Sequence, residues 1–351
     1  MFFLRKIAYI ELDTHAEIAT NFMELAQEFH AVEMDFYLSE KIVRLLPEKL
    51  KHKAILCNSE TILGMLNRKK YDEVIVGTVH RYFSTFLEIT KLFSTSVLVH
   101  NACFINLSRV QLFINCWKKE QVYRLKLLLK EGLLSSTKIY QNAKRLLVLD
   151  GGIDLISTEL NAKKESISLF FNEFFKEKPS KLKVVVPGTV SQQRRDYHRV
   201  FSSVKTFKTP MEIVFLGKAM DEELNALKKL NQELPEEISI KFFETKVPDV
   251  DFREEMSNAS VLWCPLQLHV DFFSQKETYG SSKISGNVGD AIKFGVPAIF
   301  PASYKNAYSF IFTEREDVEK QIIDLTNFSE DFSLNFNRRT IAGQLEKILL
   351  S

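Results

Sequence analysis

The sequence predicts an α/β protein of two successive αβα domains that face each other across a cleft, and three observations predict it. Short apolar runs alternate with helical patterns along most of the chain; strand, helix, strand in repetition implies a parallel sheet covered on both faces. The 351 residues are too many for one average domain and fit two of roughly 150–200. The pattern breaks once, at Glu177-Lys178-Pro179-Ser180, and then restarts. The expected divisions are residues 1–178, 179–335, and a closing segment 336–351 whose amphipathic helix, roughly Arg339–Leu350, returns across the boundary.

The expected strands of the first half are Ile7–Leu12, Glu33–Leu38, Lys53–Cys57, Glu73–Thr78, Ser96–His100 and Arg145–Leu149. Several are apolar almost throughout, as buried parallel strands should be. Ala16–Phe29 and Glu60–Arg68 read as helices between them. The segment Lys163–Lys181 reads as an amphipathic helix, with Phe170, Phe171, Phe174 and Phe175 at helical spacing, followed by the short linker Glu177–Ser180. In the second half the strands are Lys183–Val186, Glu212–Leu216, Ser239–Glu244, Ser260–Pro265, Ala298–Pro301 and Ser309–Phe312. Helices Met220–Glu233, Phe252–Asn258 and Val288–Phe294 alternate with them. Open parallel sheets bind ligands at the carboxyl ends of their strands, so the cleft is the expected site.

Composition narrows the class. Hydrophobic residues at 45% and charged residues at 26% are ordinary for a globular chain. A net charge of +2 argues against a partner nucleic acid held by the overall field. Cys57, Cys103, Cys116 and Cys264 form no CxxC pair, so a metal knuckle is not expected and a reducing cytoplasm fits best. MFFLRKIAYIELD has no long apolar segment before a small-residue cleavage site, and no run of 18 apolar residues is present. No G-x-G-x-x-G follows the first strand, which disfavours a dinucleotide-dependent dehydrogenase.

The run from Glu277 to Pro297 carries the most chemistry. It opens on small hydroxylated residues and glycines, becomes a helix, and stops at Gly295-Val296-Pro297. Little side-chain bulk lets a phosphate approach the backbone, and the helix start aims free N–H groups and its positive dipole end at that anion. Ser282, Lys283 and Ser285 add direct donors, and Asp290, one turn into the helix, suits ribose hydroxyls. The plainer reading is a Gly/Ser loop before a helix. Two further segments point to the same sheet edge: Pro187-Gly188-Thr189 leading to Arg194 and Arg195, and Gly217-Lys218. Paired arginines grip a diphosphate in a forked way; the other reading is a solvated helix start with Asp196 pairing one arginine.

On these residues the second half resembles the donor domain of GT-B glycosyltransferases, above all the large retaining nucleotide-sugar family (group 1 type). Glu277-Thr-Tyr-Gly280 is similar to that family's first acidic element, and Asp290-Ala-Ile-Lys-Phe-Gly295-Val-Pro297 to its second acid and helix end. The two acids stand farther apart than in the family, and the second is Asp where the family has Glu. The resemblance spans about residues 183–301 and implies two Rossmann-like domains. It gives Gly188, Thr189, Arg194, Arg195 and Lys218 to the diphosphate. Ser285, Gly286 and Asn287 fall at the phosphate, Asp290 at the ribose, Val247 in the loop by the base, Glu277 at the sugar, and Tyr279 and Gly280 beside it. The implied substrate is a nucleotide sugar, most readily UDP- or GDP-linked, with no other cofactor.

The loop after the first strand, Asp13-Thr14-His15-Ala16-Glu17, faces the same cleft. His15 suits a general base near an acceptor hydroxyl; alternatively Asp13 or Thr14 caps the next helix and His15 is a first-turn residue. His80 and His100 end candidate strands and, with Asp13, line the acceptor side. Val247-Pro-Asp-Val-Asp251 contains an Asp-x-Asp spacing, but in a loop assigned to the base, so metal-independent chemistry is expected. Residues 117–145 carry eight Lys/Arg against two Glu, with Trp, Tyr and Leu interleaved. Such a stretch suits peripheral contact with the inner face of a membrane, recognition of a lipid-diphosphate acceptor, or a solvated helical hairpin. The expected activity is therefore sugar transfer to a glycan, lipid-linked or protein acceptor. A GT-B epimerase and a non-catalytic sugar-nucleotide or partner-binding subunit are the alternatives.

Overall fold

A computed structural model describes residues 4–149, 160, 162–174 and 181–351. The expected break at Glu177–Ser180 and Phe175 lie outside the described residues.

The first sheet contains β1 (Arg5–Glu11), β2 (Val32–Leu38), β3 (Ala54–Leu56), β4 (Glu73–Val76), β5 (Thr95–Val99), β6 (Arg145–Leu149) and β7 (Lys163–Ile167). All its pairings are parallel, in the order β3-β2-β1-β4-β5-β6-β7. Its strands bury both faces. Ala8, Ile10, Val74 and Val97 point into one core cluster, and Ile7, Tyr9, Ile75 and Leu98 into the other. That two-sided burial is why the strands read as nearly continuous apolar runs.

The second sheet repeats the plan with β8 (Lys183–Pro187), β9 (Met211–Lys218), β10 (Ile238–Phe243), β11 (Val261–Trp263), β14 (Ala298–Phe300) and β15 (Ile311–Thr313), all parallel. The order is β10-β9-β8-β11-β14-β15. Chain order reverses between β1 and β4 in one sheet and between β8 and β11 in the other. The loops leaving those strands splay apart there and open a crevice at the carboxyl edge.

The segment expected as a helix from Lys163 is instead a strand, β7, and has no regular secondary structure over residues 168–174. β7 pairs with β6 at the sheet edge, so one exposed flank is polar. Each ring after it has its own receptor. Phe170 packs between the cores of the two halves, Phe171 lies under the Arg338 guanidinium at 4.9 Å, and Phe174 stacks on Phe294 at 4.7 Å. Asn172 donates to the carbonyls of Ile292 and Lys293. Spacing that fits a helix is here used by a strap binding three different surfaces.

The last helix, Arg338–Leu350, is capped by Asn337 and buries Ile341, Ala342, Leu345 and Leu349 in the core of the first sheet, beside Ile18 and Phe22. Truncating one buried leucine of such a seam costs about 2–5 kcal/mol. Its end is fixed by Arg145, which donates to Ile348 O at 2.5 Å while its guanidinium forks onto Glu73, fully buried in the sheet.

A feature the sequence did not signal is a two-stranded hairpin, β12 (His269–Phe272) and β13 (Gln275–Thr278). Its turn residues Phe273 and Ser274 have φ of 51° and 56°. Tight hairpin turns of this kind need φ > 0 at both central positions and usually contain Asn-Gly. The strain here is offset from outside. Phe273 is buried in the core of the first half against Phe104 at 5.3 Å, and Arg124 donates to Ser274 Oγ at 2.6 Å. The hairpin thus reaches from the second sheet into the first half of the chain.

Candidate active site

The sequence-expected residues lie near or beyond the carboxyl ends of strands in the two halves. On the first sheet, His15 follows β1 in the left-handed region, φ 60°, and starts the helix Ala16–Leu25. A non-glycine residue held there costs on the order of 1–3 kcal/mol and marks a position the surroundings enforce. The ring of His15 stacks flat on His100, centroids 4.1 Å apart, and meets His80 edge-on at 5.9 Å. His15 Nδ1 lies 2.9 Å from Glu17 Oε1, which leaves Nε2 as the second ring nitrogen. Desolvation in the cleft would raise Glu17; the hydrogen bond and charge of His15 outweigh it and hold the carboxyl below its usual value.

The other two imidazoles are held neutral. Desolvation, then the charges of His15 and Lys283, push His80 well below the usual histidine range, and desolvation with His15 and His80 does the same to His100. His100 Nε2 faces the Gly77 carbonyl at 2.8 Å, so that nitrogen carries the proton. Thr78 Oγ1 donates to Glu11 Oε2 at 2.6 Å. Burial pushes Glu11, fully enclosed at the end of β1, up to about 7, against the lowering effect of Thr78 and the Asp13 and Thr14 N–H groups. Glu11 was not singled out from sequence, because an acid at the end of an apolar strand looks like an exposed terminus.

Asp13 turns away from the imidazoles. It pairs with Lys41 at 3.0 Å and Arg81 at 3.6 Å. It lines a cavity of about 550 Å³ with Ser39, Asn58, Thr61 and Tyr82, on the segments that follow β1, β2, β3 and β4.

On the second sheet, Gly188 has φ 101°, and a Cβ there would meet the Arg195 guanidinium at 2.3 Å. Arg195, 8% exposed, folds beneath that loop and donates to Asn287 Oδ1 at 3.1 Å. Asn287 Nδ2 donates in turn to Asp290 Oδ2 at 2.9 Å. Burial raises Asp290, against Asn287, Lys293 and Arg195. Ser285 caps the helix Gly286–Phe294, accepting from Asn287 N, and Gly286 is exposed to open space. An exposed helix start beside a buried guanidinium has the polarity that an anion requires. Thr189, Arg194 and Lys218 are exposed along the same edge, and Val247 is half-buried in the loop before the helix Asp249–Ser257.

Three expected residues are engaged by neighbouring backbone. Glu277 is fully buried, and its carboxylate accepts from Cys103 N at 3.2 Å and Phe104 N at 2.9 Å, binding the hairpin to the first half. Gly280, φ 77°, forms a tight turn against the Lys305 backbone, 2.7 Å from a would-be Cβ. Ser282 is buried: its Oγ accepts from Thr278 N and its carbonyl accepts from Ala102 N. The extra length between the two acids is taken up by this turn. Tyr279 is half-buried nearby, its hydroxyl pushed up by burial against Arg194 and Arg195.

Lys283 joins the two halves of the site. Its Nζ donates to Asn101 Oδ1 at 2.6 Å, and burial lowers it from the usual lysine value. Asn101 Nδ2 then donates to His80 Nε2 at 3.0 Å. Among the described residues no three His, Cys, Asp or Glu side chains gather as metal ligands would. No helix there is long and apolar enough to cross a membrane.

No protein-family model matches the chain, and no curated protein sequence does. Solved structures do. The chain is similar to sucrose-phosphate synthase from Thermosynechococcus elongatus, with a TM-score of 0.60, 12% identity and 98% of each chain covered. It is similar to Anabaena HepE in complex with UDP, with a TM-score of 0.59, 12% identity, and 98% of this chain and 99% of that one covered. It is also similar to UDP-GlcNAc 2-epimerase from Methanocaldococcus jannaschii, at 0.53 and 11%, covering 98% and 99%. At such identities the likeness speaks for the fold, and it covers both halves and their arrangement. The chain has the GT-B fold, two Rossmann-like domains across a cleft, which glycosyltransferases share with nucleotide-sugar epimerases.

Proposed function

We propose that this protein is a glycosyltransferase that moves a sugar from a nucleotide-sugar donor, UDP- or GDP-linked, to a hydroxyl of a glycan, lipid-linked or protein acceptor. The observation that carries the reading is the hydrogen-bonded line Arg195–Asn287–Asp290 at the open start of the helix Gly286–Phe294. It offers a cation, backbone N–H groups and a carboxylate in the order that a diphosphate followed by a ribose requires.

The chemistry then needs no bound cofactor or metal. The bond between the anomeric carbon and the diphosphate breaks, and the electron pair stays on the leaving oxygen. Arg195, the helix start and the exposed cations Arg194 and Lys218 stabilise that charge. As the acceptor oxygen forms its new bond, His15 Nε2 takes the hydroxyl proton, with Glu17 on Nδ1 stabilising the imidazolium. Glu277 has no part in this scheme beyond holding the hairpin.

The test is a panel of UDP-, GDP-, CMP- and dTDP-sugars screened by thermal shift. The stabilising donor is then incubated with enzyme and followed by NMR at the anomeric carbon. Transfer or donor hydrolysis supports the reading. Conversion of the donor to its C2 epimer makes the protein an epimerase, and stabilisation without turnover makes it a binding subunit.

A further inference from the structure

The helices Arg109–Cys116 and Gln121–Lys130 follow β5 and pack against each other. The first has two apolar faces. Leu112 and Cys116 turn inward and are buried. Positions 110, 113, 114 and 117 repeat at i, i+3, i+4 and i+7, one side of a helix. They hold Val110, Phe113, Ile114 and Trp117, between 47% and 68% exposed. Phe113 and Trp117 touch edge to face at 6.3 Å, so this side is one continuous surface. On the second helix Val122 is 86% and Leu129 80% exposed, two turns apart. Among the described residues no other stretch of twenty concentrates exposed large apolar side chains in this way. An ordinary surface helix turns its polar side outward, so an outward apolar side asks for a covering partner.

The charge around it identifies the kind of partner. Arg109, Lys118, Lys119, Lys126 and Lys130 are exposed on the same two helices and the turn between them, against the single exposed acid Glu120. A second copy of the chain would bring these cations against their own kind across a self-complementary contact. An apolar stripe with an indole, rimmed by lysines, matches the boundary of an anionic bilayer instead: acyl chains take the stripe, and headgroup phosphates take the lysines. Lys119 and Arg124 also bond the interdomain hairpin at Asp271 and Ser274, so the surface lies beside the crevice.

We propose that this face docks on an anionic lipid bilayer. It stands independently of the donor-site reading. The chain has two tryptophans, and Trp263 is fully buried, so Trp117 reports on this face. The full-length protein is mixed with vesicles of phosphatidylglycerol and phosphatidylcholine, and separately with phosphatidylcholine alone. The expected result is co-sedimentation with the anionic vesicles only, a blue shift of the tryptophan emission, its quenching by brominated lipid, and weaker binding at high salt. Phe113→Ser with Trp117→Ser, and separately Lys118→Glu with Lys126→Glu, each lower vesicle binding about tenfold or more while circular dichroism and the thermal midpoint stay put. All four side chains are exposed, and if one double variant fails to fold the other carries the test. The proposal is overturned by absence of binding, by equal binding to neutral vesicles, by wild-type binding of a folded double variant, or by a blue shift that tracks protein concentration without vesicles.

Discussion

Lys283 Nζ lies 2.6 Å from Asn101 Oδ1, so a lysine of the loop before the helix Gly286–Phe294 is anchored on a residue at the edge of the opposite sheet. Because ammonium can only donate, the amide oxygen faces Lys283 and the amide nitrogen donates to His80 Nε2. One side chain thereby orders the loop on one side of the cleft and an imidazole on the other. Asn101→Leu removes a hydrogen bond to a charged group, about 1.5–3 kcal/mol, and leaves the desolvated ammonium without that acceptor. Turnover of the donor should fall about tenfold or more, with a smaller change in its KM. Steady-state kinetics on the variant settle it, and unchanged kcat would remove Asn101 from the account.

Glu277 accepts two backbone N–H groups at the start of the short helix Phe104–Asn106. Glu277→Ala strands both donors in a buried site, at about 1–3 kcal/mol each. Urea denaturation should show a loss of about 2–6 kcal/mol, and hydrogen exchange should quicken at Cys103 and Phe104. If Glu277 instead acted on the sugar, turnover would collapse with stability intact.

Glu11 gives a pH signature. Its carboxyl is raised to about 7 in the fold from a usual value near 4.5. Below the unfolded value it is neutral in both states and carries no penalty. As pH rises through the folded value, the fold must hold a buried carboxylate, and stability is lost by up to about 3 kcal/mol. Glu11→Gln cannot ionise, so the variant should gain on the wild type between about pH 4.5 and 7. Chemical denaturation across that range measures the difference; parallel curves would contradict the assignment.

His15 combines a strained backbone with an imidazole paired to a carboxylate, that of Glu17. Asparagine tolerates the left-handed region, so His15→Asn tests the ring without adding backbone strain. Turnover should drop about 10²–10⁴-fold while donor binding stays within a few-fold. Equal losses in binding and turnover would make His15 a donor contact rather than the base.

Much of this was legible in the chain. The buried parallel strands announced themselves because both of their faces are apolar, and the strand-to-helix turn at Ser285 was readable because Ser, Gly and Gly295 punctuate it by local chemistry. What stayed hidden depends on distant partners. β7 is an edge strand with a polar flank, so its pattern carries no period-two alternation strong enough to outweigh the helical spacing of the phenylalanines behind it. The hairpin turn at Phe273-Ser274 lacks the residues such turns prefer, and is held by a core and an arginine more than a hundred residues away. For the same reason Glu277 fits a donor motif in sequence while its oxygens are taken by the opposite half of the molecule.

The central claim is that Arg195 and the start of the helix Gly286–Phe294 form a diphosphate site, and isothermal titration with UDP and GDP tests it most directly. The account predicts that at least one of them binds the wild type at a single site. Arg195→Ala should weaken that binding by about thirtyfold or more, the 2–5 kcal/mol of a buried charge losing its partner. Absence of binding by either nucleotide, or equal affinity of the variant, would contradict it.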